Sequence, residues 1–232
     1  WPAKCSIPET SRGISAAAAA AWLLPELRRW LPGWRNAWQV TAGILVFIAG
    51  MFLLLGGTDK VRDRWIPEAP HSLDSMAFME YATYADFGVT MELDEDFRAI
   101  RWMQENIHGS PVIVEANCVE YHWCSRFTIY TGLPGVVGWN WHQRQQRALA
   151  SGQVWERVNE VGFFYGTSDL IAASEFLDTY DVRYIIVGQL ERAAYPEDGL
   201  AKFADANGTL WQEIYRDGQT VIYEVLEEGE VP

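Results

Sequence analysis

The stretch that decides the architecture is residues 37–57, AWQVTAGILVFIAGMFLLLGG, which contains no charged side chain. Ten of these residues are Leu, Ile, Val or Phe, and each favours membrane insertion by about 0.3–0.6 kcal/mol, which outweighs the single Gln39. As a helix, the 21 residues reach roughly 31 Å, enough to cross a hydrocarbon core of about 30 Å. The stretch therefore predicts a transmembrane helix; a buried helix of a globular core is the alternative.

The residues around the span suggest how it sits in a membrane. Residues 1–36 hold five Lys or Arg residues, and the 36 residues after the span hold three, so the N-terminal segment is expected on the cytoplasmic side or at its interface. The chain is then a single-pass protein of the cell membrane with its remaining domain outside the cytoplasm. Because it begins with Trp1, we expect a processed chain or the C-terminal part of a longer one. Tryptophans flank the span as predicted interfacial anchors: Trp30, Trp34, Trp38 and Trp65.

The remainder of the chain is acidic. Its formal net charge is −13 in total, and residues 1–36 contribute +3 (five basic minus two acidic), which leaves −16 for the rest. A domain with this charge repels phosphate backbones, so no nucleic-acid partner is expected. Residues 58–71, with Pro67 and Pro70, are predicted to be a linker, and residues 72–232 an extracytoplasmic domain.

Apolar patterns in this domain alternate between helical and strand periodicity. Residues 93–108 predict a helix capped by Asp94, with Phe97, Ile100, Met103 and Ile107 on its buried face. The fold class is therefore a layered mixed α/β domain that ends in a β-hairpin. The other predicted helices are 72–86, 143–164, 167–180 (capped by Thr167 or Ser168) and 200–205; the predicted strands are 111–116, 126–130 and 182–188, with hairpin strands 209–216 and 219–225 around Asp217-Gly218.

The most unusual stretch is 126–147, RFTIYTGLPGVVGWNWHQRQQR, which places aromatic and basic residues around a Gly-Pro loop. Arginine suits bidentate contact with phosphate or carboxylate, and indole faces suit sugar rings or cations. Alternatively, the tryptophans belong to the core or face the membrane, and the arginines pair with the domain's carboxylates. The candidate ligand-binding residues are Arg126, Trp139, Trp141, His142, Arg144 and Arg147.

Five blocks carry a resemblance to a known family: SLDSMAFMEYA, DFRAIRWMQENIHGSPVIVEA, SRFTIYTGLPGVVGWNWHQRQQR, VRYIIVGQLERAAYP and IYEV. Over residues 72–225 the chain resembles the C-terminal part of the uncharacterised YYY-type polytopic membrane proteins, which are similar to GT-C glycosyltransferases. The resemblance implies a domain outside the cytoplasm and a lipid-linked sugar, such as a polyprenyl-phosphate sugar, bound by a multi-span part.

The resemblance also implies a limit. GT-C enzymes carry their catalytic acid in the first extracytoplasmic loop, and this chain has one predicted span and no such loop, so enzymatic activity stays open. Two functions are therefore considered: a GT-C-related extracytoplasmic domain that is not catalytic by itself, or a non-catalytic single-span subunit that docks on other membrane proteins. The conspicuous carboxylates are expected to be caps or salt-bridge partners: Asp74, Glu80, Asp86, Glu115 and Glu120.

Other motifs are weaker. Cys118 and Cys124 could form a disulfide in an oxidising compartment, or remain two semi-buried thiols. With His122 they have metal-like ligand types, but CVEYHWC lacks the paired spacing of a zinc site, so no metal is predicted. No Walker loop, GxSxG or GxGxxG motif is present, which argues against nucleotide and serine-hydrolase chemistry, and no cofactor is predicted.

Overall fold

The computed structural model describes Pro25, residues 34–118 and residues 122–226, apart from the side chains of Trp34, Arg35, Arg64 and Ala148. The chain divides into two compact units, residues 1–65 and 66–232. Most of the predicted basic segment 1–36 lies outside the described residues, as do Trp30 and Glu120.

The first unit contains helix α1, Trp34–Arg64. Within it, Asn36–Asp63 is long and apolar enough to cross a membrane, and none of its apolar window is buried. The predicted alternative, a helix buried in a globular core, does not fit this exposure. The helix continues seven residues past the predicted end at residue 57, because 58–64 (TDKVRDR) contains no proline or glycine and the Thr58 hydroxyl donates to the carbonyl of Leu54 at 2.8 Å.

The second unit is a mixed α/β domain, as predicted. Its main sheet has the order β3-β4-β6-β5, with β3 parallel to β4 and the other pairs antiparallel. A separate two-stranded hairpin precedes it. The strands are β1 (Thr83–Asp86), β2 (Val89–Glu92), β3 (Val112–Val114), β4 (Val182–Val187), β5 (Trp211–Asp217) and β6 (Thr220–Val225).

Helices cover both faces of the main sheet. Alternate residues of β4 point to opposite sides, so Ile185 joins one apolar cluster and Ile186 the other, and both are fully buried. The cluster on one side contains Phe164 and Phe203, and the cluster on the other contains Ile100. The helices of this unit are α2 (Leu93–Asn106), α3 (Arg126–Thr131), α4 (Asn140–Gln146), α5 (Ser151–Gly166), α6 (Leu170–Thr179), α7 (Gln189–Ala194) and α8 (Glu197–Asp205), with short 3-10 turns at Ala77–Glu80 and Ala148–Ala150.

Three predicted elements have a different structure. The single helix predicted at residues 143–164 is divided into α4 and α5, with the 3-10 turn Ala148–Ala150 between them. Residues 126–130 were expected to be a strand but form α3, because the Glu115 carboxylate accepts hydrogen bonds from the first-turn N–H groups of Phe127 and Thr128. Residues 72–86 were expected to be a helix but contain only the Ala77–Glu80 turn and β1. There the chain reverses at Phe87 and Gly88, which both have positive φ, and β1 pairs with β2 instead.

The other differences concern element ends. The backbone of Glu92, rather than Asp94, occupies the N-cap of α2, and Asp94 pairs with Arg98 one turn along. Asp169 caps α6 through its carboxylate, in place of the predicted Thr167 or Ser168. The predicted final hairpin is present, but its turn lies one residue later than predicted. Asp217 pairs with Thr220, so Gly218 and Gln219, rather than Asp217 and Gly218, make the turn.

Candidate functional site

A buried cluster of charges lies inside the second unit, around Arg126. Its Nε donates to Asp96 Oδ2 at 2.6 Å, and its two Nη atoms donate to the two Glu191 oxygens at 3.0 and 2.9 Å. Glu115 lies 3.9 Å from the same guanidinium. The cluster joins α2, the end of β3, α3 and α7, and the Arg126 side chain is fully buried. It therefore holds four elements together.

The carboxylates of the cluster respond differently to burial. Burial raises the pKa of Asp96 above its ordinary value, against the attraction of Arg126. Burial also raises the pKa of Glu115 to about 7, although Arg126 and two backbone N–H groups oppose this. Glu191 is equally buried, but its bidentate pair with Arg126 and the N–H groups of Ala116 and Gly188 hold its pKa below the ordinary value. Three carboxyl groups thus surround one guanidinium group, and burial raises the pKa of two of them, Asp96 and Glu115.

A second arrangement lies on α4 and α5. The Arg144 guanidinium carbon lies 4.9 Å from the centre of the Trp141 ring and 4.3 Å from that of Trp155, so the arginine contacts two indoles. The Trp139 ring lies 4.5 Å from the His142 ring. Trp139 is 40% exposed and Trp155 is 43% exposed. We call these five residues the aromatic–arginine surface.

A cleft of about 180 Å³ opens beside the same two helices. Polar side chains from α4 and α5 reach it, and the backbone of the glycine-containing loop before α4 forms its other side. The lining residues are Gly135, Val136, Val137, Gln143, Arg147, Ala150, Gln153, Val154 and Arg157. We call it the Arg147–Arg157 cleft.

The segment before α3 is linked covalently. Cys118 and Cys124 form a disulfide in the structure, with their Cα atoms 5.9 Å apart. His122 Nδ1 makes a short contact with the Asp86 carboxylate of β1. The ligand-type side chains of this segment that the structure describes are therefore engaged with one another or with Asp86.

Five of the six predicted ligand-binding residues lie on or at the ends of α4, and the sixth lies on α3. Trp139, Trp141, His142 and Arg144 belong to the aromatic–arginine surface, and Arg147 lines the adjoining cleft. Arg126 lies apart, because its guanidinium is buried among carboxylates. Sequence reasoning did not include Trp155, Gln153 or Arg157, which reach the site from α5. The sequence signal that could have identified them is the aromatic, amide and basic side chains that these three residues place near one another on α5.

The expected roles of the conspicuous carboxylates can be checked for some of them. Asp74 accepts from the N–H of Met76 at 2.9 Å and pairs with Arg101 at 2.7 Å. Glu115 caps α3, as described above. Both carboxylates are therefore engaged in structural contacts, as a cap or as a salt-bridge partner.

Comparison with known proteins identifies no family for this chain. No protein-family model and no curated protein matches the chain. Among solved structures, the C-terminal globular domain of the oligosaccharyltransferase AglB-S2 from Archaeoglobus fulgidus is similar, at 14% identity and a TM-score of 0.36, over 56% of this chain and 95% of that domain. A likeness this low assigns neither fold nor function.

Proposed function

We propose that the chain is the membrane-anchored, extracytoplasmic part of a GT-C-like glycosyltransferase-related protein, and that it is not catalytic by itself. In this proposal the aromatic–arginine surface binds the sugar of a lipid-linked sugar phosphate. The observation that carries the proposal is the position of Arg144 between the rings of Trp141 and Trp155, at 4.9 and 4.3 Å.

The surface has the chemistry that a sugar requires. Exposed indole faces are flat and apolar, like the faces of a pyranose ring, and Trp139 and Trp155 are both about two-fifths exposed. An arginine that packs against two rings has restricted side-chain freedom, so the surface loses less conformational entropy when a ligand binds. His142 adds a polar group beside Trp139.

Two further observations support a membrane-anchored position outside the cytoplasm. Helix α1 is long and apolar enough to anchor the chain. The Cys118–Cys124 disulfide is the type of bond that persists in oxidising compartments outside the cytoplasm. A third point concerns catalysis rather than location. The sequence resemblance implies that the catalytic acid of GT-C enzymes lies in a loop of the multi-span part. In this chain the buried carboxylates Asp96, Glu115 and Glu191 accept hydrogen bonds from Arg126 and backbone N–H groups.

The test is a binding measurement on the full chain in lipid nanodiscs with a polyprenyl-phosphate sugar as the probe. We expect Trp155→Ala and Trp139→Ala each to weaken binding about tenfold or more, because each removes a ring that contacts the sugar. The matched control is Phe163→Ala, which removes a 59% exposed aromatic side chain from the same helix α5 but not from the surface.

Equal affinity of the wild type and Trp155→Ala would remove the surface from the proposed function. Absence of binding by the wild type, together with co-purification of other membrane subunits, would favour the single-span accessory subunit instead.

A further inference from the structure

The Arg147–Arg157 cleft is lined by cationic and amide side chains and by no carboxylate. Arg147 and Gln143 come from α4 and its C-terminal end, and Arg157 and Gln153 come from α5. The chain as a whole has a formal net charge of −13. A cavity with two guanidinium groups and no acidic side chain therefore has a local charge opposite to that of the whole chain.

The two arginines are not neutralised by ion pairs within the described residues. Arg157 donates to the carbonyl of Val136 at 3.4 Å and lies 5.4 Å from the Tyr180 ring, which fixes its position without cancelling its charge. Glu160, one turn further along α5, accepts a short hydrogen bond from the Tyr180 hydroxyl instead. Both positive charges are thus available to a ligand.

The sequence around the cleft has the same bias. Residues 121–155 contain Arg126, Arg144 and Arg147 and no Asp or Glu. Arg126 is paired inside the protein, and Arg147 is the residue of this stretch that brings a guanidinium group to the cleft. The nearest acidic residue along α5, Glu156, follows this acid-free stretch.

The N-terminal end of α5 adds to the positive electrostatic potential in the cleft. Its N-cap residue is Ala150, which lines the cleft and has no side-chain acceptor for the first-turn N–H groups. The first turn of α5 also contains no acidic residue. The partial positive charge of a helix N-terminus therefore acts in the same direction as the two guanidinium groups.

We propose that the Arg147–Arg157 cleft is a binding site for a phosphoryl group. Guanidinium groups form charge-assisted, often bidentate hydrogen bonds with phosphate oxygens, and the Gln143 and Gln153 amides supply neutral donors. The volume of about 180 Å³ is below the roughly 300–1,000 Å³ of pockets that enclose drug-sized ligands, so it suits a phosphate or diphosphate better than a complete glycolipid. The proposal of a phosphoryl site rests on the cleft alone. The further step, that the bound phosphoryl group belongs to a lipid-linked sugar, rests on the proposed function.

The test uses inorganic phosphate and pyrophosphate, titrated by calorimetry into the full chain in nanodiscs of zwitterionic lipid. We expect the wild type to bind, and Arg147→Gln and Arg157→Gln each to raise Kd tenfold or more. Arg216→Gln is the matched control, because it removes an arginine that pairs with Glu213 on β5. Because Arg157 also contacts Tyr180, its substitution could change the stability of the fold, so a thermal melt is measured for each variant. Arg147 is exposed, so Arg147→Gln tests the site without disturbing a packed contact.

A second set of nanodiscs contains phosphatidic acid and identifies the source of the phosphoryl group. Weaker binding of inorganic phosphate in these discs would support a lipid headgroup as occupant, and equal binding would support a soluble phosphorylated compound. Trp155→Ala is expected to bind phosphate as the wild type does and to bind the sugar lipid more weakly. Unchanged affinity of Trp155→Ala for the sugar lipid would contradict the proposed function and leave the phosphoryl site in the cleft intact. Failure of the wild type to bind phosphate at millimolar concentration, or an unchanged Kd in Arg147→Gln, would overturn the phosphoryl site.

Discussion

The buried carboxyl group of Glu115 links the stability of this fold to pH through its raised pKa. Its two oxygens accept the N–H groups of Phe127 and Thr128 at 2.8 and 2.7 Å, and burial raises its pKa from 4.5 to about 7. A carboxyl group whose pKa is higher in the folded state stabilises the fold fully below the unfolded pKa. That stabilisation is lost as the pH rises through the folded pKa.

We therefore expect the free energy of unfolding to fall between about pH 4.5 and pH 7, with about 3 kcal/mol of the fall due to Glu115. In Glu115→Gln, which stays neutral, the fall is smaller by this amount. Stability at low pH drops by about 1 kcal/mol, because one backbone N–H loses its acceptor. Urea denaturation at a series of pH values measures both effects. The control is Glu175→Gln at an exposed position of α6, and identical pH profiles for wild type and Glu115→Gln would contradict the assignment.

The buried charge cluster could not be predicted from the sequence. Asp96, Glu115, Arg126 and Glu191 are separated by up to 95 positions, counted from 96 to 191, and hydrophobic periodicity identifies apolar residues that share a face but not charges that meet across elements. Arg126 was predicted to be a ligand-binding residue, with pairing to the domain's carboxylates as the alternative. In the structure it is buried against three carboxyl groups.

Helices α5 and α8 pack closely against each other at Gly199. A Cβ atom built on Gly199 of α8 would lie 2.4 Å from the carbonyl oxygen of Tyr165 in α5. The Lys202 ammonium, one turn further along α8, donates to the carbonyl of Phe164 at 2.6 Å. The two helices therefore approach through a glycine and are tied by a buried lysine.

We expect Gly199→Ala to lower the free energy of unfolding by about 1–3 kcal/mol, because backbone atoms must move to admit the methyl group. Gly162→Ala is the matched control, since Gly162 lies inside α5 with no atom within 4 Å of its added Cβ. That substitution should raise stability by about 0.5–1 kcal/mol through helix propensity. Equal effects of the two substitutions in chemical denaturation would contradict the close approach of the helices.

Elements with strong periodicity were predictable, and those set by remote contacts were not. The buried strand β4 and the final hairpin follow from apolar alternation and turn residues, and both are confirmed. The strand predicted at residues 126–130 was wrong, because these residues form helix α3. The residue that caps this helix, Glu115, lies eleven positions before Arg126, directly after β3. The aromatic–arginine surface was found in part. The sequence predicted one helix over residues 143–164, so the chain reversal that brings Trp155 of α5 onto Arg144 of α4 was not expected.

For the whole molecule, the mixed α/β class and the apolar helix were accessible from sequence, because both depend on local composition and periodicity. Helix α1 is confirmed as long and apolar enough to cross a membrane. The side of the membrane on which the second unit lies remains a prediction from the Lys and Arg counts. The disulfide between Cys118 and Cys124 gives this prediction a chemical reporter.

The most direct test of membrane anchoring with the domain outside the cytoplasm is thiol labelling of intact cells with a membrane-impermeant maleimide. It uses a Cys5→Ser variant, so that only Cys118 and Cys124 report. We predict no labelling until a membrane-impermeant reductant is added, and then labelling of Cys118, the more exposed of the two, without permeabilising the cells. Labelling without any reductant, and only after the cells are permeabilised, would place free thiols in the cytoplasm and contradict the account.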